Sequence, residues 1–256
     1  MQILHIPAFN DNYIWLIKEP ESNACVVVDP GDAEVVKQRL ADLNCQLSAV
    51  LITHHHADHI GGVEALLSYY PQARVYAPKN GSYPFPHQGV ADGEQITPEG
   101  LKNSFKVIEV PGHTLDHVAY LSAGQLFVGD TLFAAGCGRL FEGNAEQMHH
   151  SLSKLKALEP NTKIYSAHEY TQANVKFALA VEPENQALLA YQKHISKLRQ
   201  SGLPTLPSTL EQQLAVNPFL RCDQSSIKSA VEMHNSRPLN NEIAVFAGLR
   251  SWKDSF

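Results

Sequence analysis

Two apolar runs frame the first fifty residues. Ala24 to Val28 (ACVVV) and Ala49 to Ile52 (AVLI) are short and continuous, the first rich in β-branched side chains, which is the pattern of buried strands. Each ends in a polar loop: Asp29-Pro30-Gly31-Asp32 after the first, a histidine-rich stretch after the second. Between them Asp32 is placed to cap a helix running to about Leu43, with Val35, Val36 and Leu40 on one face. Further strands are predicted at 74–77, 105–110, 118–122, 125–128 and 163–166, with hairpin-like spacing at Ser122-Ala123-Gly124. This is a mixed α/β pattern. From about Thr171 the spacing turns helical, in segments 171–181, 184–201, 208–215, 225–234 and 240–251. They are separated by Pro183, by Gly202-Leu203-Pro204 with Pro207, by Asn217-Pro218 and by Arg237-Pro238. The expectation is an α/β domain over 1–168 and a helical domain over 169–256.

Composition narrows the class. The chain has 256 residues, 44% hydrophobic and 18% charged, enough for a sizeable core with an appendage. It contains no apolar run of the ~18 residues that would span a bilayer, and the opening MQILHIPAFNDNY lacks the features of a secretory signal. A soluble, cytoplasmic monomer with no membrane partner is expected. Its four cysteines (Cys25, Cys45, Cys137, Cys222) form no CxxC pair, so neither a disulfide framework nor a thiolate zinc site is indicated. A net charge of -6 without clustered Lys and Arg argues against nucleic acid. An anionic substrate would need a local basic patch.

The chemistry concentrates in Thr53 to Gly62, THHHADHIGG. His54 and His56, two apart in a loop, can turn both rings on one ion, and Asp58 and His59 follow within a helical turn that Gly61-Gly62 allows to pack closely. Imidazole and carboxylate without thiolate suit Zn²⁺, Mn²⁺ or Fe²⁺. The cluster exceeds what one tetrahedral ion takes, so two ions are inferred if other segments add ligands. Three strand ends offer them: His113 in VPGHTLDH, Asp130 in LFVGDTLF and His168 in IYSAHEY. His55 should point away from the ions. His149 and His150 read as surface positions on a helix, and His117 as a candidate support for the ligands.

The motifs THHHADHIGG, PGHT, GDTLF and SAHEY resemble the ligand-bearing motifs of the metallo-β-lactamase superfamily. That resemblance implies a four-layer αββα sandwich with two divalent ions per chain, zinc expected and iron or manganese as alternatives. It assigns His54, His56 and His113 to one ion and Asp58, His59 and His168 to the other, with Asp130 bridging. Asp29, at the end of ACVVV, would support the ligands from behind.

Within the superfamily, TLFAAGCGRLFEG after Asp130, SAHEYT, NPFLR, the closing VFAGLRSWKDSF and the opening IPAFNDNY are similar to the glyoxalase II family of hydroxyacylglutathione hydrolases. This implies hydrolysis of S-D-lactoylglutathione to D-lactate and glutathione by a metal-bridging hydroxide, with Asp58 orienting the nucleophile. The helical domain would bind the glutathione part through Tyr170, Arg250 and Lys253, with Arg139 of GCGR as a further basic contact from the first domain. Arg139 stands where a lysine is common in the family, and Phe141 where some members have tyrosine. Local cations for the two carboxylates of glutathione make physical sense in an acidic chain. A thiolate leaving group with a pKa near ~8.5 needs little general acid. Alternatives are a glutathione persulfide dioxygenase with one iron, another hydrolase of the same fold, and a non-catalytic metal site that serves folding.

Overall fold

The computed structural model describes residues 1–256, which divide into two compact units, Met1–Glu109 with Thr114–Gly129, and Val110–His113 with Asp130–Phe256. No helix is long and apolar enough to cross a membrane.

The first unit holds a six-stranded sheet in the order β1 (Gln2–Ala8), β2 (Asn12–Lys18), β3 (Ala24–Val28), β4 (Gln46–Leu51), β5 (Arg74–Pro78), β6 (Gln88–Val90). β1, β2 and β3 are antiparallel, whereas β3 to β6 run parallel. Helix α1 (Ala33–Asp42) starts as expected at Asp32, whose carboxylate accepts from the Glu34 amide, and it buries Val36 and Leu40. These side chains pack with Val63 and Leu66 of α3 (Val63–Tyr69) against Ile14, Leu16, Val27, Val50 and Val75 of the sheet.

A second, antiparallel layer is made by β7 (Gln95–Ile96), β8 (Phe105–Glu109), β9 (Val118–Ser122) and β10 (Gln125–Gly129). The expected hairpin joins β9 to β10: Ala123 and Gly124 both have positive φ, 47° and 73°, as a two-residue primed turn requires. Tyr120, fully buried on β9, ties the two layers together by donating its hydroxyl to the Ile52 carbonyl at 2.8 Å.

The second unit contains the hairpin β11 (Leu132–Phe133) and β12 (Gly136–Cys137), helix α4 (Ala145–Lys156), strand β13 (Lys163–Ser166) and β14 (Ser208–Thr209). Its remaining helices are α5 (Thr171–Val181), α6 (Gln186–Gln200), α7 (Leu210–Val216), α8 (Ser225–Asn235) and α9 (Glu242–Asp254). Side-chain caps set several starts: Asn185 on α6, Thr209 on α7 and Asn241 on α9. Pro218 opens a single 3₁₀ turn, Pro218–Leu220, after the Asn217-Pro218 break.

Candidate functional site

In the first unit, β4 runs straight into the histidine stretch. His54 and His59 are buried, while His56 and Asp58 are half-buried. The His54 ring lies 4.7 Å from that of His56, 4.0 Å from that of His59, and is stacked on His117 at 4.6 Å. His59 sits on the short helix α2 (Ala57–Ile60), and His59 Nε2 is 3.5 Å from Asp58 Oδ2. The close packing foreseen for the glycine pair is present: a Cβ on Gly62 would lie 2.5 Å from the Pro30 carbonyl oxygen and 2.6 Å from the Ala33 amide nitrogen.

Asp29 stands behind this cluster in a left-handed conformation, φ 52°. Its Oδ1 accepts from the Thr53 amide at 2.7 Å and its Oδ2 from the Thr53 hydroxyl at 2.7 Å, with His59 Nδ1 at 3.0 Å from Oδ2. Having given its one proton to Asp29, the Thr53 hydroxyl can only accept from His54 Nδ1, 3.0 Å away. That assigns the proton to Nδ1 and the lone pair to Nε2, the state in which imidazole binds a metal. Asn12 Nδ2 donates to Asp58 Oδ2 at 2.9 Å and so fixes one carboxylate oxygen. His55 turns to a different partner, Asp116 Oδ1 at 3.0 Å. The same carboxylate accepts from Thr114 at 2.6 Å and Tyr83 at 2.6 Å. Burial raises the Asp116 pKa, but these hydrogen bonds outweigh it and hold the carboxyl below its usual range.

The second unit brings together the other three predicted ligands. Asp130 Oδ2 is 3.5 Å from His113 Nε2, and Asp130 Oδ1 is 3.4 Å from His168 Nε2, so the carboxylate presents one oxygen to each buried ring. His113 Nδ1 donates to the Arg139 carbonyl at 2.9 Å, which leaves its Nε2 as the nitrogen turned toward Asp130. His168 is stacked on Tyr170 at 4.7 Å with the planes 6° apart, and Phe133 meets the Tyr170 ring edge-on at 5.2 Å.

Beside these ligands the second unit contains a cavity of about 370 Å³. Its lining includes His113 and Asp130 together with Arg139, Tyr170, Arg250 and Lys253. Arg139 is exposed, with Nε 3.7 Å from Asp254 Oδ1. Arg250 is only 4% exposed; its guanidinium donates to the Cys137 carbonyl at 2.9 Å and to Asp254 Oδ1 at 2.9 Å. The Lys253 ammonium lies 5.2 Å over the Phe177 ring. Burial, and then the Arg250 charge, pull its pKa below the ordinary lysine value. Phe141 is exposed, its ring edge-on to His113 at 5.2 Å. Cys137 also lines the cavity, but burial pushes its thiol up to about 11, so little thiolate forms at neutral pH. A larger cavity of about 770 Å³, lined by Glu182 and Arg221 among others, holds none of the predicted site residues.

Residues 9–168 match the model of the metallo-beta-lactamase superfamily, and residues 169–256 that of the hydroxyacylglutathione hydrolase C-terminus. A hydroxyacylglutathione hydrolase from Aeromonas hydrophila is 56% identical over 255 residues, 99% of either chain. The chain belongs to the hydroxyacylglutathione hydrolase family. A second member, from Photobacterium profundum, is 51% identical over 256 residues, 100% of each chain. Among solved structures, ETHE1 from Myxococcus xanthus has a TM-score of 0.67 at 25% identity, covering 100% of this chain and 99% of its own. The fold is thus the metallo-β-lactamase fold with the C-terminal part of this hydrolase family, as the motifs implied.

This family and the grouped histidines and aspartates suit divalent metal ions. The donors fit: imidazole nitrogens and carboxylate oxygens, buried except at His56 and Asp58, with no cysteine among them. Three features escape a reading of the sequence: the Asn12 hold on Asp58, the Thr53 relay between Asp29 and His54, and the Arg139 carbonyl that orients His113. Asn12 falls in the IPAFNDNY stretch, which carried the family resemblance but gave no role to that amide. His149, read as a surface residue, is half-buried with its ring 5.9 Å from Phe246.

Proposed function

We propose that this chain is a thioester hydrolase that converts S-D-lactoylglutathione and water to D-lactate and glutathione. Its family membership carries the reaction. The cavity carries the substrate: at about 370 Å³ it is in the size range of small-molecule sites, and it sets cationic and aromatic side chains beside His113 and Asp130. In this reading His54, His56 and His113 hold one ion, Asp58, His59 and His168 a second, and Asp130 serves both; zinc is the ion we infer. Two such ions supply activated water and polarisation of the thioester carbonyl.

The chain's own groups do the rest. Asp58, with one oxygen fixed by Asn12, is set to orient the attacking water through its proton. Arg139 and Lys253 offer cations to the glutathione carboxylates, and Arg250 holds the wall between them. Tyr170, locked against His168, offers a hydroxyl to the peptide part. Phe133 and Phe141 line the cavity and limit water at the thioester. The departing thiolate needs no dedicated acid, which agrees with the buried, neutral thiol of Cys137 as a bystander. We infer a cytoplasmic monomer whose substrate site is formed by 169–256 with the loop around Arg139.

The test is the decay of thioester absorbance with S-D-lactoylglutathione, before and after chelation and metal return, with metal analysis of the same sample. Rapid, chelator-sensitive turnover at about two metals per chain is expected. A fully metallated protein that leaves this thioester intact overturns the substrate.

A further inference from the structure

The hairpin β11–β12 is two residues long on each strand, far below what holds together alone in water. Its base closes on the site: Asp130 precedes it, the Gly138 amide donates to the Thr131 carbonyl at 3.2 Å, and the Arg139 carbonyl accepts a hydrogen bond from His113 Nδ1. There is no slack at that closure, since a Cβ on Gly138 would lie 2.0 Å from the Asp130 carbonyl oxygen.

Side chains from the helical segments grip this hairpin at every residue from Phe133 to Cys137. The Asn217 amide donates to the Phe133 carbonyl at 3.1 Å and the Gly136 carbonyl at 3.0 Å, Asn174 donates to the Ala134 carbonyl at 3.1 Å, and Gln213 accepts from the Ala135 amide at 2.7 Å. Arg250 then donates to the Cys137 carbonyl. Asn217 and Gln213 are fully buried, and Asn217 Oδ1 is itself fixed by the Phe219 amide at 3.1 Å. A buried amide with all its partners satisfied specifies one backbone position and penalises others.

We propose that Asn217 is a positioning residue: through the hairpin it fixes Asp130 and the Arg139 carbonyl, and so the metal affinity and turnover of the site. The helical part thereby acts on the metal ligands as well as on the substrate. This deepens the proposed function and rests on it for the role of Asp130. The residues that grip the hairpin lie outside the ligand motifs, and Asn217 does not line the cavity, so its loss should spare substrate binding.

The experiment compares the zinc-loaded wild type with Asn217→Ala and Asn185→Ala. Asn185 caps α6 and donates to the Ala215 carbonyl at 3.1 Å, so its loss destabilises the same unit without touching the hairpin. Zinc retention is read against a competing chelator, hydrogen exchange over 132–138 is followed directly, and kcat and KM are measured. For Asn217→Ala the expectation is faster exchange over 132–138, about 10- to 100-fold weaker zinc retention, a matching fall in kcat and an unchanged KM. Asn185→Ala is expected to lower the thermal midpoint with none of these changes. Equal zinc loss in the two variants at equal midpoint loss, or wild-type zinc retention and kcat in Asn217→Ala, overturns the proposal. If Asn217→Ala does not fold, Asn217→Asp keeps the acceptor for the Phe219 amide but sets a carboxylate oxygen in place of the donor to the Phe133 and Gly136 carbonyls, and is read by the same four measurements with the same outcomes decisive. Zinc retention and exchange need no substrate, so a wild type that ignores S-D-lactoylglutathione would sink the substrate reading and leave this test intact.

Discussion

At the scale of single residues, metal chemistry narrows the choice of side chain and so makes candidate ligands stand out in the sequence, whereas their supports do not stand out, because a hydrogen bond can come from many side chains or from backbone. Asp29 shows both sides. The superfamily resemblance marked it as a support, but its partners, the Thr53 amide and hydroxyl and His59, emerge only from the fold. Replacing it with alanine removes the acceptor that fixes the Thr53 proton and, through it, the His54 tautomer. Asp29→Ala is therefore expected to weaken metal retention about 10- to 100-fold, as measured by competition with a chelator.

Lys253 supports a prediction about pH. Its folded pKa is depressed, first by burial and then by Arg250, so on raising the pH its charge is lost earlier than that of an ordinary lysine. The cation is the form that binds a carboxylate. KM should therefore rise as the pH climbs through that lowered pKa, while kcat stays level. In Lys253→Met the rise should vanish and KM should be high throughout; a wild-type KM that is flat into the lysine range would remove Lys253 from the binding role. For stability the sign is opposite. The folded state binds the proton less well, so this residue contributes more stability as pH rises from the folded to the unfolded pKa.

At the scale of elements, apolar runs and helical stripes were legible and two-residue strands were not. Strands β3, β9 and β13 and helix α5 fall where apolar runs and helical spacing placed them, since burial on both faces or along one stripe writes itself into the side chains. The two-residue strands β7, β11, β12 and β14 are too short to show any period and exist through their partners. The β1–β2 hairpin escaped for another reason. β2 is buried along nearly its whole length while β1 is half-exposed, so the pair never shows a shared alternation.

Glycines separate space from conformation at this same scale. At Gly62 the obstacle is backbone, whereas at Gly124 a side chain meets open space but φ is 73°. Gly62→Ala and Gly124→Ala should each cost about 1–3 kcal/mol in thermal or denaturant unfolding. Only Gly62→Ala should also loosen metal retention, because the atoms it displaces, the Pro30 carbonyl and the Ala33 amide, belong to the turn that follows Asp29. Equal retention in both variants would show that the approach of these segments does not govern the ligands.

For the whole molecule, the ligands we infer lie as far apart in sequence as His54 and His168, so an unfolded chain offers no preformed set to a metal. Ions that bind the folded state alone stabilise it by mass action, about 2.7 kcal/mol when free metal stands at 100 times its Kd. For a chain of this size that corresponds to roughly 5–10 °C in thermal midpoint. The apolar cores of both units are nevertheless extensive without any ion: Val27, Val50 and Val75 in one, and Val175, Ala178 and Leu188 in the other, are each almost wholly buried. Chelation should therefore abolish thioester hydrolysis and lower the midpoint while leaving the far-ultraviolet circular dichroism intact, and adding zinc back should restore both. A chain that unfolds on chelation at room temperature would mean that the ions hold the fold together, and the case for a catalytic centre would then rest on turnover alone.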